Sequence, residues 1–145
     1  MKLFKTFAVI MALSSATALA DTQAQCPDIQ GTFVNQNKTE TYEVSHVKKD
    51  AGLTYTLKIT QSVNDAFTVD YVVDSKIDQN GGALGPVTTQ ISCENQALVV
   101  ALQTLMGTDT HKFTLNQDGN LVTEEILSLR NGESRSQGTT IYTRQ

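Results

Sequence analysis

The sequence predicts an all-β domain of about nine antiparallel strands joined in sequential hairpins, either a barrel or a sandwich. Three observations carry this expectation. Apolar and polar residues alternate at a period of two along most of the chain. Turn signals rich in Gly, Asn and Asp recur at the spacing of short strands. No segment after Ala20 sustains a helical period.

The chain opens on an export signal. Lys2 and Lys5 give a positive start, Phe7 to Leu13 an apolar run, and Ala18-Leu19-Ala20 the small residues that signal peptidase admits. The run is far shorter than the roughly 20 apolar residues of a membrane span. Residues 1–20 are therefore expected to be a cleaved signal peptide. Residues 21–145, starting at Asp21, would be one domain, periplasmic or secreted. Gln25 and Gln23 stand where lipoprotein processing needs a small and an aliphatic residue before Cys26, so no membrane anchor is expected.

The strands follow in order. Gly31 to Gln36 and Glu40 to Val47 read as a hairpin around Asn37-Lys38. Leu53, Tyr55, Leu57 and Ile59 alternate with Thr54, Thr56, Lys58 and Thr60, a half-buried strand. Phe67, Val69, Tyr71 and Val73 repeat the pattern after the turn residues Ser62 to Asp65. Asp78 to Pro86 reads as one long irregular loop. Val87 to Cys93 and Ala97 to Gln103 flank Glu94-Asn95 as a third hairpin. His111 to Asn116 is expected to pair with Leu121 to Leu129 through Asp118-Gly119. Ser134 to Thr143 closes the series after Asn131-Gly132, a pair suited to a type I′ turn.

Composition narrows the partners. The chain carries a formal net charge of −4, about −6 without the two signal lysines. Nucleic-acid surfaces need a basic stripe. Lys38, Lys48, Lys49 and Lys58 are interspersed with acids, so no nucleic-acid partner is expected. The two cysteines of an exported chain are expected to pair, Cys26 with Cys93. Such a bridge closes a loop of about 67 residues and contributes roughly 4 kcal/mol by chain entropy.

Candidate chemistry is sparse. Thr114 to Glu125 places Asn116, Asp118, Gly119, Leu121 and Glu125 at calcium-loop spacing, but Thr114 occupies the position of the first aspartate and the flanks read as strands. A β-turn at Asp118-Gly119 is the expectation there. His46 reads as a strand end and His111 as a strand start, both solvated, and neither stands in a nucleophile motif. Glu124 and Glu125 are adjacent on a strand and face opposite sides, so they cannot act together on one substrate. Asn37-Lys38-Thr39 matches a glycosylation sequon. No catalytic residue, metal or cofactor is expected, and the chain reads as a non-enzyme.

Residues 26–35, CPDIQGTFVN, resemble the opening of the calycin barrels, the lipocalins and avidins, where Gly-x-Trp begins the first strand. In avidins a cysteine just before it often bridges to a mid-chain strand. Ile141 to Arg144 is similar to their last strand, whose arginine packs across the first-strand aromatic. The resemblance implies an up-and-down antiparallel barrel of about 8–9 strands, with Gly31, Phe33 and Arg144 at its closure. It implies no family ligand. The chain has no tryptophan to line a biotin pocket, and Thr140 stands where an arginine would clamp a fatty-acid carboxylate.

Two functional expectations follow. In the first, the barrel is a lipocalin-like module holding a small apolar ligand among the inward residues Tyr55, Leu57, Phe67, Val69, Tyr71, Phe113 and Leu127. In the second, the barrel is filled and serves as an envelope structural or protein-interaction domain. There the apolar stretch Ala97 to Leu102 offers a docking strand, or is simply covered on both faces.

Overall fold

Alternation of side chains along a strand sends every second residue to the same face of a sheet. In a computed structural model describing residues 26–62 and 65–145, this rule organises the whole molecule. The expected signal peptide, with Asp21, lies outside the described residues. Among them no helix is long and apolar enough to cross a membrane.

The strands are β1 (Gly31–Asn35), β2 (Thr41–Lys49), β3 (Gly52–Ser62), β4 (Asp65–Val72), β5 (Lys76–Asn80), β6 (Pro86–Glu94), β7 (Ala97–Gln103), β8 (Gly107–Leu115), β9 (Leu121–Leu129) and β10 (Ser134–Arg144). They form one antiparallel sheet in the order β4-β3-β2-β1-β10-β9-β8-β7-β6-β5. Every neighbour except the β1/β10 pair is also a neighbour in sequence, which makes an up-and-down topology.

The strand count is ten, not eight to nine. The additional strand is β5, within the stretch partly read as an irregular loop; a 3-10 turn at Gly82–Leu84 follows it. Its sequence, KIDQN, has one apolar residue and is exposed throughout. A short polar edge strand carries no period that sequence reading can detect. The Asn131-Gly132 turn is also corrected. Only Gly132 has positive φ there, and Leu129 N–H donates to the Glu133 carbonyl at 2.7 Å, so the loop holds three residues rather than a two-residue type I′ turn. A two-residue turn with both central φ positive does occur at Asn95-Gln96.

The first and last strands pair, Phe33 opposite Arg144 and Asn35 opposite Tyr142. That pairing does not close the sheet by hydrogen bonds, because the two edges are β4 and β5. These edges are consecutive in the chain. Only three residues separate Val72 from Lys76, which holds the strand ends within about 14 Å. The linker is tied down, with Asp74 N–H donating to the Ile91 carbonyl and Ile91 N–H to the Ser75 carbonyl. The sheet therefore curls round on itself, with an unladdered seam between β4 and β5.

One end of the interior is packed solid. Ile29, Phe33, Tyr55, Leu57, Leu98 and Leu121 are all buried there. The segment before β1 crosses this end, held by the Cys26–Cys93 disulfide and by the Tyr55 hydroxyl, which donates to the Pro27 carbonyl. Arg144 locks the same end. Its guanidinium lies 4.9 Å from the Phe33 ring centroid and donates to the carbonyls of Gln30 at 2.9 Å and Gly119 at 3.1 Å. Gly31 makes that path possible. Its φ is +145°, and a Cβ there would sit 2.9 Å from Arg144 Nη1.

Candidate functional site

The opposite half of the interior is built differently. A chain of rings forms its floor. Tyr142 packs edge-on against Tyr42 at 4.8 Å, Tyr42 lies 6.4 Å from Phe113, and Phe113 lies 6.5 Å from Tyr71. These rings come from β10, β2, β8 and β4, so the layer spans the interior from wall to wall. Burial, with the Glu40 charge adding to it, pushes the Tyr42 hydroxyl up to about 12. Burial also raises Tyr71, and raises Tyr142, whose hydroxyl donates to the Glu40 carboxylate at 2.6 Å. All three hydroxyls are protonated at neutral pH.

Two cavities rest on this floor. The first, about 310 Å³, is lined by Tyr42, Phe113 and Tyr142 below, and by His111, Glu125 and Thr140 at its sides. The second, about 220 Å³, is lined by Val69, Tyr71, Ile77, Ile91, Val100 and Leu102 among others. It lies beneath the seam, since Val69 and Tyr71 come from β4 and Ile77 from β5. Asp109 pairs across the ladder with Leu102, and His111 with Val100, which puts these polar groups beside the apolar pocket.

Period two explains the polar side. Asp109 and His111 are two apart on β8 and share its inner face with Phe113. Glu125 on β9 stands directly opposite His111. On the far side of Glu125 its ladder partner is Gly138, beside a register shift between Ser136 and Gly138 in β10. A Cβ at Gly138 would meet nothing within 4 Å, so space is left next to the Glu125 carboxylate. The His111 Nε2 lies 3.3 Å from Asp109 Oδ2. Among the described residues no lysine or arginine forms an ion pair with Asp109 or Glu125. The pocket is consequently anionic.

The expected ligand-facing residues divide between the two halves. Phe113, Val69 and Tyr71 line the cavities. Tyr55 and Leu57 are fully buried in the packed end, where Tyr55 touches the N-terminal segment and no cavity of the open half. Burial, with the charge of Asp28, pushes the Tyr55 hydroxyl up to about 12. Phe67 is 49% exposed at the rim, and Leu127 pairs with Asp109 in the upper wall; neither lines these two cavities.

Three further readings are settled by position. His111 is not at a strand start, because β8 begins at Gly107; its ring lines the cavity from mid-strand and stays 39% exposed, solvated as expected. Residues 114–125 form no calcium loop. Asn116 and Asn120 close a hairpin turn in which the Asn116 side chain accepts from the Asp118 and Asn120 amides. Ala97 to Val100 are buried on both faces of β7, so this stretch is a covered strand and not an exposed docking one.

The meeting of Asp109, His111 and Glu125 was not foreseen. Asp109-x-His111 is visible as a same-face pair once β8 is extended four residues upstream, to Gly107. Glu125 joins them only through the β8/β9 register. Elsewhere a shallow outer groove runs past Glu43 and Lys58, but these two neutralise each other at 2.7 Å. Compared with known proteins, the chain matches no family model and no curated protein sequence.

Proposed function

We propose that this chain is an exported, non-enzymatic, calycin-like binding module that takes a small amphipathic molecule into the open half of its interior. The observation that carries the reading is the asymmetry of that interior: a packed end, a floor of aromatic rings, and above it an apolar cavity beside an anionic one. The larger cavity, about 310 Å³, sits at the lower limit of small-molecule sites, and the apolar one, about 220 Å³, adds to it from beside. A barrel serving only as structure gains little from facing Asp109 and Glu125 inward, since carboxylates brought into a partly enclosed space lose hydration. The same carboxylates repel a fatty-acid anion, so the ligand is neutral or cationic at its polar end. The seam between β4 and β5 supplies an entry, because parting those strands breaks no ladder hydrogen bond. Export to the periplasm or the outside agrees with the disulfide and with the signal-like residues 1–20.

Fluorescent probes test this directly. The neutral amine N-phenylnaphthylamine should brighten on binding, and anilinonaphthalene sulfonate should bind roughly tenfold more weakly because of the anionic wall. Val69→Trp, which fills the apolar cavity, should abolish the signal. If neither probe brightens, or Val69→Trp binds as well as the parent protein, the barrel is filled and the interaction-domain reading takes its place.

A further inference from the structure

We infer that Asp109, His111 and Glu125 form a three-residue binding site for a divalent transition-metal ion, with zinc as its type. The site does not depend on the amphiphile reading, because it needs only the β8/β9 register and not a ligand in the cavities. Its donor atoms, one from each residue, all lie within 4.8 Å of one another. Zinc bonds of about 2.0–2.1 Å place neighbouring tetrahedral donors about 3.3 Å apart. The His111 Nε2 to Asp109 Oδ2 separation is 3.3 Å. That edge of the tetrahedron is therefore already formed, and Glu125, on the longest side chain, has only to swing inward to complete a face.

Two independent features point at a ligand here rather than at an ordinary ion pair. The Asp109 side chain is one-third exposed, but its Oδ1 is turned away from solvent with no hydrogen-bond partner, the one carboxylate oxygen among four such atoms in the described residues, and a carboxylate oxygen left unmet is costly. Gly138, opposite Glu125, leaves open space beside the cluster, next to the irregularity in β10. Bulges recur beside functional sites because they re-aim the strand around them. The donor set selects the metal class. One imidazole with two carboxylates suits zinc or copper, whereas calcium and magnesium take oxygen alone. Three protein ligands leave a fourth position, and it opens toward the 310 Å³ cavity lined by His111 and Glu125. Among the described residues no second cluster of this kind occurs. The chain has two histidines, and the other, His46, has a single carboxylate beside it, Asp28 at 3.9 Å, with Gln30 and the Tyr55 ring as its other neighbours.

Isothermal titration of the disulfide-bonded protein with zinc chloride decides the matter, with cobalt(II) as a spectroscopic stand-in. The expected result is one zinc per chain and tetrahedral cobalt bands in visible absorption. His111→Gln and Glu125→Gln should each weaken binding at least about tenfold, and His46→Gln should not alter it. Far-UV dichroism checks that each variant is folded, and Glu125→Gln, at the most accessible ligand, keeps the test intact should His111→Gln misfold. Absence of zinc binding at submillimolar concentration would overturn the proposal, as would equal binding by Glu125→Gln. Probe binding without zinc binding removes this site alone, and zinc binding without probe binding removes only the amphiphile.

Discussion

Removing the contact between Arg144 and Phe33 tests whether the packed end is held together as a unit. Phe33 is fully buried, so Phe33→Ala should destabilise by about 3–5 kcal/mol. Arg144→Ala loses a cation–π contact at 4.9 Å, about 0.5–1 kcal/mol at an exposed site. It also loses the two bonds to Gln30 and Gly119, so the total should be roughly 1–2 kcal/mol. Once Phe33 is gone, the guanidinium has no ring to lie on. The double variant should therefore cost about 0.5–1 kcal/mol less than the sum of the singles. Arg144→Lys should recover little, because an ammonium does not span two carbonyls as a planar fork does. Urea denaturation of the four proteins of the cycle measures the coupling. Additivity within about 0.3 kcal/mol would mean that the arginine and the ring are independent neighbours, and the account of Gly31 as a residue kept small for the arginine would fail with it.

Two more expectations concern the whole fold. All four tyrosines have hydroxyls raised from 10, Tyr42 and Tyr55 to about 12, mainly by burial. The folded state then keeps protons that the unfolded chain releases, so stability should hold up to about pH 10 and fall as pH rises through about 12; absorbance near the phenolate band should rise together with unfolding, and four normal tyrosine titrations in a folded protein would contradict this. Replacing Cys26 and Cys93 with serine should lower stability by up to about 4 kcal/mol while keeping the far-UV β signature, as followed by urea denaturation; an unchanged midpoint would mean that the N-terminal segment is held by Tyr55 and the core alone.

What was legible in the sequence is what local rules control. The alternation in β3, the turns at Asn95 and Gly119 and the pairing of the two cysteines are each set within a few residues or by simple count. The pairing of β1 with β10 came from the Gly31-x-Phe33 and Arg144 resemblance, and its physical basis is the guanidinium crossing Gly31. The edge strand β5 was missed because Lys76, Asp78 and Gln79 need not be apolar when neither face is covered. The seam was missed because no side-chain pattern marks two edges that approach without pairing. Asp109, His111 and Glu125 were missed for another reason. Glu125 stands opposite His111 only in the observed register, and register is fixed by turn length and packing rather than by the acids themselves.

The two halves of the interior answer to different requirements. At the packed end apolar residues face inward, the polar hydroxyl of Tyr55 finds a carbonyl, and glycine stands where a side chain would collide. Across the aromatic floor that agreement stops. Among the described residues no lysine or arginine ion-pairs with Asp109 or Glu125, the Asp109 Oδ1 lacks a hydrogen-bond partner, and β10 breaks register beside them. Departures of this kind concentrate at functional sites, because selection for stability alone would remove them. Replacing Asp109 and Glu125 together with Leu should therefore stabilise the fold while abolishing binding in the open half. A fall in stability would mean that the acids are structural, satisfied by contacts that only the intact ladder provides.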